Sequence, residues 1–171
     1  MIFPNFYIVG APKCGTTAIA TYLGEHPCIF MSNPKEPFYL CSDFSGLRQY
    51  TRVRTISEYN ALFSGRRKEH IVVGEGSTEY LRSAVAIPAI LDYNPSAKFL
   101  VLLRNPVELV HAFHQTQVFT MSEDISSFED AWRMQNLRSE RRNIPLTCIY
   151  PCLLKYREVG CLLCKAFTSV P

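Results

Sequence analysis

The chain has 171 residues, 47% of them hydrophobic, and a formal net charge of +3. This length and composition predict one globular domain with a substantial core. The net charge is too small to argue for a nucleic-acid partner, and no apolar run reaches the roughly 18 to 20 residues that a membrane span requires. Because no signal peptide precedes the first predicted strand, the expected compartment is the cytoplasm.

Seven cysteines are spread along the chain, an odd number that does not fit a disulfide framework, so we expect reduced thiols. The four nearest the carboxyl end are candidates for a zinc site: Cys148, Cys152, Cys161 and Cys164. Pro151 interrupts the first pair and no histidine lies nearby. We therefore predict no metal.

Apolar runs alternate with helical patterns, which is typical of a parallel sheet flanked by helices. Strands are predicted at Phe6 to Val9, Ile71 to Gly74 and Phe99 to Leu103. Helices are predicted at about Thr16 to Leu23, Ser57 to Phe63, Ala84 to Leu91, Pro106 to Phe119 and Ser126 to Arg141. The predicted class is therefore α/β, a three-layer fold with a central parallel sheet.

The first predicted strand leads into a loop bounded by Gly10 and Gly15, and a helix starts near Thr16. Glycine permits the positive φ of a tight loop, and a helix start offers unpaired N–H groups and the positive end of its dipole. The segment predicts a cradle for phosphate or sulfate. Unlike the common G-x-x-x-x-G-K-[ST] loop, it carries its lysine inside, at Lys13. An ordinary turn with a surface lysine is the alternative.

A long connection, Ser32 to Asp43, follows at the expected carboxyl end of the sheet, where ligands bind in open α/β folds. It contains Lys35-Glu36-Pro37, and Glu36 is a candidate general base. A solvated lysine–glutamate pair on a turn is the alternative. Further along, Ser77 and Thr78 are candidate polar contacts.

Arg104 follows the strand predicted at Phe99 to Leu103, and Pro106 begins a helix without losing a hydrogen bond. The planar guanidinium suits a phosphate, which it can bind through two hydrogen bonds. A structural ion pair is the alternative role for Arg104.

In this order, the motifs P-K-C-G-T-T, K-E-P-F-Y, G-E-G-S-T-E-Y and L-L-R-N-P-V-E resemble those of sulfotransferases that use 3′-phosphoadenosine 5′-phosphosulfate (PAPS). The resemblance covers residues 1 to about 160 and is nearest to the bacterial and heparan-type members. It implies a P-loop-like fold, PAPS as co-substrate, and catalytic roles for Lys13 and Glu36. The nucleotide-binding residues that it implies are Lys13, Cys14, Gly15, Thr16, Thr17 and Arg104.

Two features depart from the family pattern. Ala112 stands where members usually carry a serine that bonds the 3′-phosphate, and Leu109 where many carry arginine. His111 and His114 either substitute as donors or merely pack. The resemblance ends near Gly160, so residues 161–171 are expected to be a divergent tail on a chain truncated at its carboxyl end.

The resemblance implies transfer of a sulfuryl group from PAPS to a hydroxyl or amine, with a lean toward carbohydrate. The expected partners are therefore the nucleotide and this acceptor. A catalytically inactive nucleotide-binding or interaction module of the same fold is the alternative. A nucleotide kinase or NTPase is a third hypothesis, which Thr16 in place of the usual lysine disfavours. For an anchored animal relative, the Golgi lumen replaces the cytoplasm as the expected compartment.

Overall fold

The computed structural model describes residues 4–44 and 53–134. Within these ranges, the residues up to Leu103 form one compact unit and those from Arg104 form a second. The four cysteines considered for zinc and the expected tail from Cys161 lie outside the described residues.

The first unit is built on a four-stranded parallel sheet in the order β2-β3-β1-β4. Its strands are β1 (Phe6–Gly10), β2 (Ile29–Met31), β3 (Val72–Gly76) and β4 (Lys98–Val101). Its helices are α1 (Thr16–Gly24), α2 (Ile56–Ala61), a 3₁₀ helix (Thr78–Arg82) and α3 (Ala86–Tyr93). This architecture confirms the predicted α/β class and its parallel sheet.

The middle of the sheet supplies the core. Strand β1 lies between β3 and β4, and its residues Ile8 and Val9 are fully buried. The register places Tyr7 beside Glu75 on β3 and beside Phe99 on β4, and the Tyr7 and Phe99 rings stack at a centroid distance of 5.9 Å. Because all four strands run parallel, their carboxyl ends meet at one edge, and the loops that follow them gather there.

The predicted strands and helices of this unit are confirmed with shifted ends. Helix α2 begins at Ile56 because Thr55 and Glu58 form a reciprocal capping box. Strand β2 was missed, since its three residues are too few to show a periodic pattern. The 3₁₀ helix was missed as well, since its five residues are also too few to show a periodic pattern.

The second unit contains α4 (Pro106–Phe119) and α5 (Phe128–Arg133). Asn105 caps α4, since its side chain accepts a hydrogen bond from the Val107 N–H at 2.9 Å. The last helix was predicted to start at Ser126 and starts two residues later, at Phe128, because Ser127 is the capping residue. The predicted continuation to Arg141 lies outside the described residues. No helix in ranges 4–44 and 53–134 is long and apolar enough to cross a membrane.

Gly10 ends β1 where the chain approaches the 3₁₀ helix closely. A Cβ at this position would lie 2.9 Å from the Leu81 Cβ and 3.0 Å from the Thr78 carbonyl oxygen, and the φ of Gly10 is +155°. We expect Gly10→Ala to lower the free energy of unfolding by about 2 kcal/mol, because the crowded backbone must shift. Urea unfolding followed by circular dichroism measures the change.

Gly24→Ala is the matched control for this substitution. The nearest atom to a Cβ at Gly24, the Met31 Cβ, is 3.8 Å away, which is an ordinary contact. This variant should be as stable as the wild type or slightly more stable. Equal urea midpoints for the two variants would contradict the close approach at Gly10.

Candidate functional site

The loop between β1 and α1 has the backbone of an anion cradle. Gly15 precedes α1 with a φ of 82°, and no side chain caps the helix start. Lys13 also has a positive φ, 62°, and its side chain is exposed. The loop is anchored to the segment after β4, since the Ala11 N–H donates to the Leu102 carbonyl at 2.7 Å. The first N–H groups of α1 are therefore presented without a capping side chain.

The donors at this loop suit an anionic group such as a phosphosulfate. A Cβ built on Gly15 would meet no atom within 4 Å, so the space beside the helix start is open. Helix α1 has nine residues, and the positive end of its dipole adds to the uncapped N–H groups. The residues predicted to bind the anionic end of the nucleotide lie in this loop or in the first turn of α1: Lys13, Cys14, Gly15, Thr16 and Thr17.

Lys35 connects this loop to Glu36. Its Nζ lies 3.2 Å from the Thr16 Oγ1, 3.4 Å from the Thr17 Oγ1 and 3.0 Å from the Glu36 Oε1. The lysine–glutamate pair of the alternative is formed, and its side chains are 15% and 22% exposed, so the pair is partly buried rather than fully solvated. The structure thus places Glu36 next to the loop and the start of α1.

Lys35 was missed by sequence reasoning, which placed the positive charge of the site on Lys13 and Arg104. A lysine directly before a glutamate is ordinary in a surface turn, and its path is set by contacts distant in sequence. Gly76 leaves room for its stem, because a Cβ at Gly76 would lie 3.1 Å from the Lys35 Cε. The signal that could have revealed Lys35 was its position in a loop expected at the same edge of the sheet.

Thr78 fixes the other carboxylate oxygen of Glu36. The Thr78 N–H and Oγ1 donate to the Glu36 Oε2 at 2.8 and 2.6 Å. Thr78 was predicted as a polar contact, and its polar groups are engaged with Glu36. A carboxylate offers about four acceptor sites, so with Lys35 and Thr78 bound one remains for an external proton donor.

Beneath this segment lies a fully buried carboxyl group, Glu75. Its Oε1 accepts from the Ser77 Oγ at 2.6 Å, and its Oε2 accepts from the Tyr59 Oη at 2.6 Å and the Tyr80 Oη at 3.3 Å. Burial raises the pKa of Glu75 to about 7, while the three hydroxyl hydrogen bonds act in the opposite direction. Ser77, the second predicted polar contact, is thus buried and engaged inside the protein.

Arg104 begins the second unit, where its Nε donates to the Glu108 Oε2 at 2.9 Å. The two side chains are 44% and 59% exposed, and such surface pairs contribute little to stability. The ion-pair alternative is therefore realised in this structure, and the phosphate-binding role of Arg104 stays a prediction.

The two histidines of α4 have packing partners. His114 is buried and its Nε2 donates to the Ile125 carbonyl at 2.9 Å, which fixes the proton on that nitrogen. The His111 ring lies against Phe128 at a centroid distance of 3.8 Å. Of the two roles left open for these histidines, the geometry fits packing.

The described cysteines, Cys14, Cys28 and Cys41, are free thiols, as expected. In the described part of the chain, no three His, Cys, Asp or Glu side chains are grouped so that they could hold a metal ion. Cys41 is buried, and burial raises the pKa of its thiol to about 12.

Sulfotransferases are among the known proteins that resemble this chain. No family model matches the chain. It is 30% identical, over 63% of its length, to the membrane-associated sulfotransferase kil1 of Dictyostelium discoideum. It is 28% identical, over 87% of its length, to the human bifunctional heparan sulfate N-deacetylase/N-sulfotransferase 1. The chain spans 22% and 17% of the lengths of these two relatives.

A solved structure extends the likeness to the fold. The crystal structure of a sulfotransferase from Alicyclobacillus acidocaldarius matches with a TM-score of 0.83 and 29% sequence identity. The match covers 99% of this chain and 71% of the bacterial one. Sequence relatives and structural neighbour thus agree, and together they support assigning the chain to the sulfotransferases.

Proposed function

We propose that this chain transfers a sulfuryl group from PAPS to a hydroxyl or amine acceptor. One observation carries the proposal: the Lys35 ammonium contacts both the Thr16 hydroxyl at the start of α1 and the Glu36 carboxylate. The predicted anion-binding loop and the predicted base therefore lie side by side. When bound, PAPS supplies an activated sulfuryl group and a nucleotide leaving group. The chain itself supplies anion-binding donors, two cations and a base within one small region.

The loop residues hold the anionic end of the nucleotide in this proposal. Cys14, Gly15, Thr16 and Thr17 contribute the N–H groups of the loop and the first turn of α1. Lys13, inside the loop, and Lys35, against the Thr16 and Thr17 hydroxyls, place two positive charges beside that anion. Preorganised charges of this kind stabilise negative charge that grows on a leaving oxygen, so Lys13 is proposed as catalytic.

Glu36 acts as the general base. Its carboxylate is held by Lys35 on one oxygen and by Thr78 on the other, and so needs no rearrangement before it accepts a proton. The remaining acceptor site takes the proton of the attacking hydroxyl or amine. Fixing the base beside the cradle gives the orientation that makes such a transfer effectively intramolecular.

The acceptor is proposed to be a carbohydrate. The printed name of the human relative contains heparan sulfate, which supports a sugar chain carrying hydroxyl or amine groups. Arg104 is proposed to bind the 3′-phosphate, which distinguishes the nucleotide from other adenine nucleotides. Its partner Glu108 must then release the guanidinium, which a weak surface pair allows.

Calorimetric titration of the chain tests the nucleotide site. We expect 3′-phosphoadenosine 5′-phosphate to bind at least about tenfold more tightly than adenosine 5′-phosphate, because one charge-assisted hydrogen bond contributes roughly 1.5 to 3 kcal/mol. Adenosine 5′-phosphate is the matched control, since it differs only by the 3′-phosphate. Arg104→Gln should remove this preference while leaving the binding of adenosine 5′-phosphate unchanged.

Other outcomes point to the other hypotheses. Equal affinity for both nucleotides would refute the 3′-phosphate site. Preferential binding without transfer to any hydroxyl or amine acceptor would favour the inactive nucleotide-binding module. Turnover that requires magnesium and ATP would favour a kinase or NTPase.

A further inference from the structure

We propose that Glu75 is a positioning residue for the proposed base, because it orients two buried hydroxyls that hold the backbone following Glu36. The inference rests on the proposed function in one respect, the role of Glu36 as base. The hydrogen bonds that hold this backbone are independent of any reaction.

Two hydroxyls act as relays between Glu75 and this backbone. The Ser77 Oγ donates to the Glu75 Oε1 at 2.6 Å and accepts from the Phe38 N–H at 3.1 Å. The Tyr80 Oη donates to the Glu75 Oε2 at 3.3 Å and accepts from the Leu40 N–H at 3.1 Å. Each hydroxyl has a single proton, so once the carboxylate takes it the lone pairs face the two amides.

Tyr59 is the third donor to Glu75, and its ring packs against the same backbone segment. The Tyr59 Oη donates to the Glu75 Oε2 at 2.6 Å, and the Tyr59 ring stacks on Tyr39 at a centroid distance of 4.6 Å. All three hydroxyl partners of Glu75 therefore contact residues 38–40. A single buried carboxylate thus connects three contacts that support this segment.

The segment requires such support. Phe38 has a φ of 51°, which is costly for a bulky side chain and persists only where surrounding contacts impose it. Phe38 follows Glu36 by two residues, and the intervening Pro37 is fully buried. Glu75 thus fixes the backbone after Glu36, while Thr78 fixes its carboxylate.

Glu75→Gln disrupts one relay whichever way the new amide lies. Its NH₂ group must face either Ser77 or the tyrosine pair, and there it donates where the carboxylate accepted. The hydroxyl facing it accepts from the NH₂ group, so residue 75 no longer holds its proton on the far side from the amide. That proton is then free to turn toward the Phe38 or Leu40 N–H, which weakens the hydrogen bond of that amide. The substitution keeps the size of the side chain, so the core stays filled.

Amide hydrogen exchange followed by NMR tests this relay. In Glu75→Gln we expect exchange at Phe38 or Leu40 to accelerate by at least about tenfold, while Ala11 and Lys98, whose N–H groups bond to backbone carbonyls, keep their protection. We also expect kcat to fall by about tenfold with unchanged affinity for 3′-phosphoadenosine 5′-phosphate, because a displaced base affects the transfer step only.

Three single substitutions test the two relays separately if Glu75→Gln does not fold. Ser77→Ala should expose only the Phe38 amide, and Tyr80→Phe only the Leu40 amide. Tyr59→Phe is the matched control, since it removes a donor to Glu75 but no acceptor of a backbone N–H.

The outcomes separate this inference from the proposed function. Full protection of Phe38 and Leu40 in a folded Glu75→Gln variant, or equal effects of Tyr59→Phe and Tyr80→Phe at Leu40, would overturn the relay. Lost protection with unchanged kcat would overturn the positioning role. A wild-type chain that binds no nucleotide, yet loses protection on substitution, would refute the proposed function and leave the relay standing.

Discussion

We expect the Glu36→Gln variant to lose about a thousandfold in kcat, because glutamine cannot accept the proton of the attacking group. Its affinity for 3′-phosphoadenosine 5′-phosphate should stay within about threefold of the wild type, since Glu36 is not among the proposed nucleotide ligands. Single-turnover assays with a labelled sulfuryl donor measure the first quantity, and calorimetry measures the second.

Glutamine also alters the contacts around position 36. If its carbonyl oxygen keeps the Thr78 hydrogen bonds, its NH₂ group faces the Lys35 ammonium, and two donors then oppose each other. A loss in Glu36→Gln could therefore contain a structural part. Glu36→Ala with added acetate or formate separates the two, because a small carboxylate entering the vacated space can take the proton in place of Glu36.

Recovery of turnover with added carboxylate is the expected result, and it should rise with the carboxylate concentration. Glu69→Gln, the same change at an exposed position, serves as the matched control and should keep wild-type kcat. If Glu36→Ala loses nucleotide binding as well and carboxylates restore nothing, Glu36 is a structural residue and the proposed base is wrong.

The loop before α1 could be predicted from the sequence because its determinants are local. Gly10 and Gly15 fix the turn, and the apolar strand and helix start on either side lie within a few residues. The sequence also predicts the edge of the sheet at which Glu36 lies, since parallel strands bring their carboxyl ends together. The longer helices and the other three strands were predictable for the same reason, whereas β2 and the 3₁₀ helix are too short to show a pattern.

The partners of Glu36 and the role of Glu75 could not be predicted in this way. Thr78 is 42 residues away from Glu36 in sequence, and Tyr80 is 40 residues from Leu40. Glu75 lies within the motif G-E-G-S-T-E-Y, and nothing local shows that its carboxyl group is fully buried. Such contacts depend on the register of β3 against β1, which a single sequence does not specify.

Lys35→Met should lower kcat/KM by about a hundredfold, the effect of removing one preorganised charge from a site where negative charge develops. Methionine keeps an apolar stem of similar length, and Glu36 retains both hydrogen bonds from Thr78, so the fold should hold. Lys68→Met makes the same change at an exposed position and should leave kcat/KM unchanged.

Comparison of Lys35→Met with Lys13→Met shows how much each proposed cation contributes to turnover. Lys13 is exposed within the loop, whereas Lys35 is held against Thr16, Thr17 and Glu36. We expect each single variant to lose turnover at unchanged stability. If Lys35→Met behaves like Lys68→Met while Lys13→Met loses turnover, Lys13 supplies the charge alone and Lys35 only anchors the segment.

Gly76→Ala tests the placement of Lys35 without removing its charge. The added Cβ would lie 3.1 Å from the Lys35 Cε, so the flexible stem must give by a few tenths of an ångström and shift the ammonium with it. We expect a loss of about tenfold in kcat/KM, smaller than for Lys35→Met, since the charge stays in the region. In the double variant the added methyl group has no ammonium left to displace. Its kcat/KM should therefore equal that of Lys35→Met, and a further loss would mean that Gly76 acts on the site by a route other than Lys35.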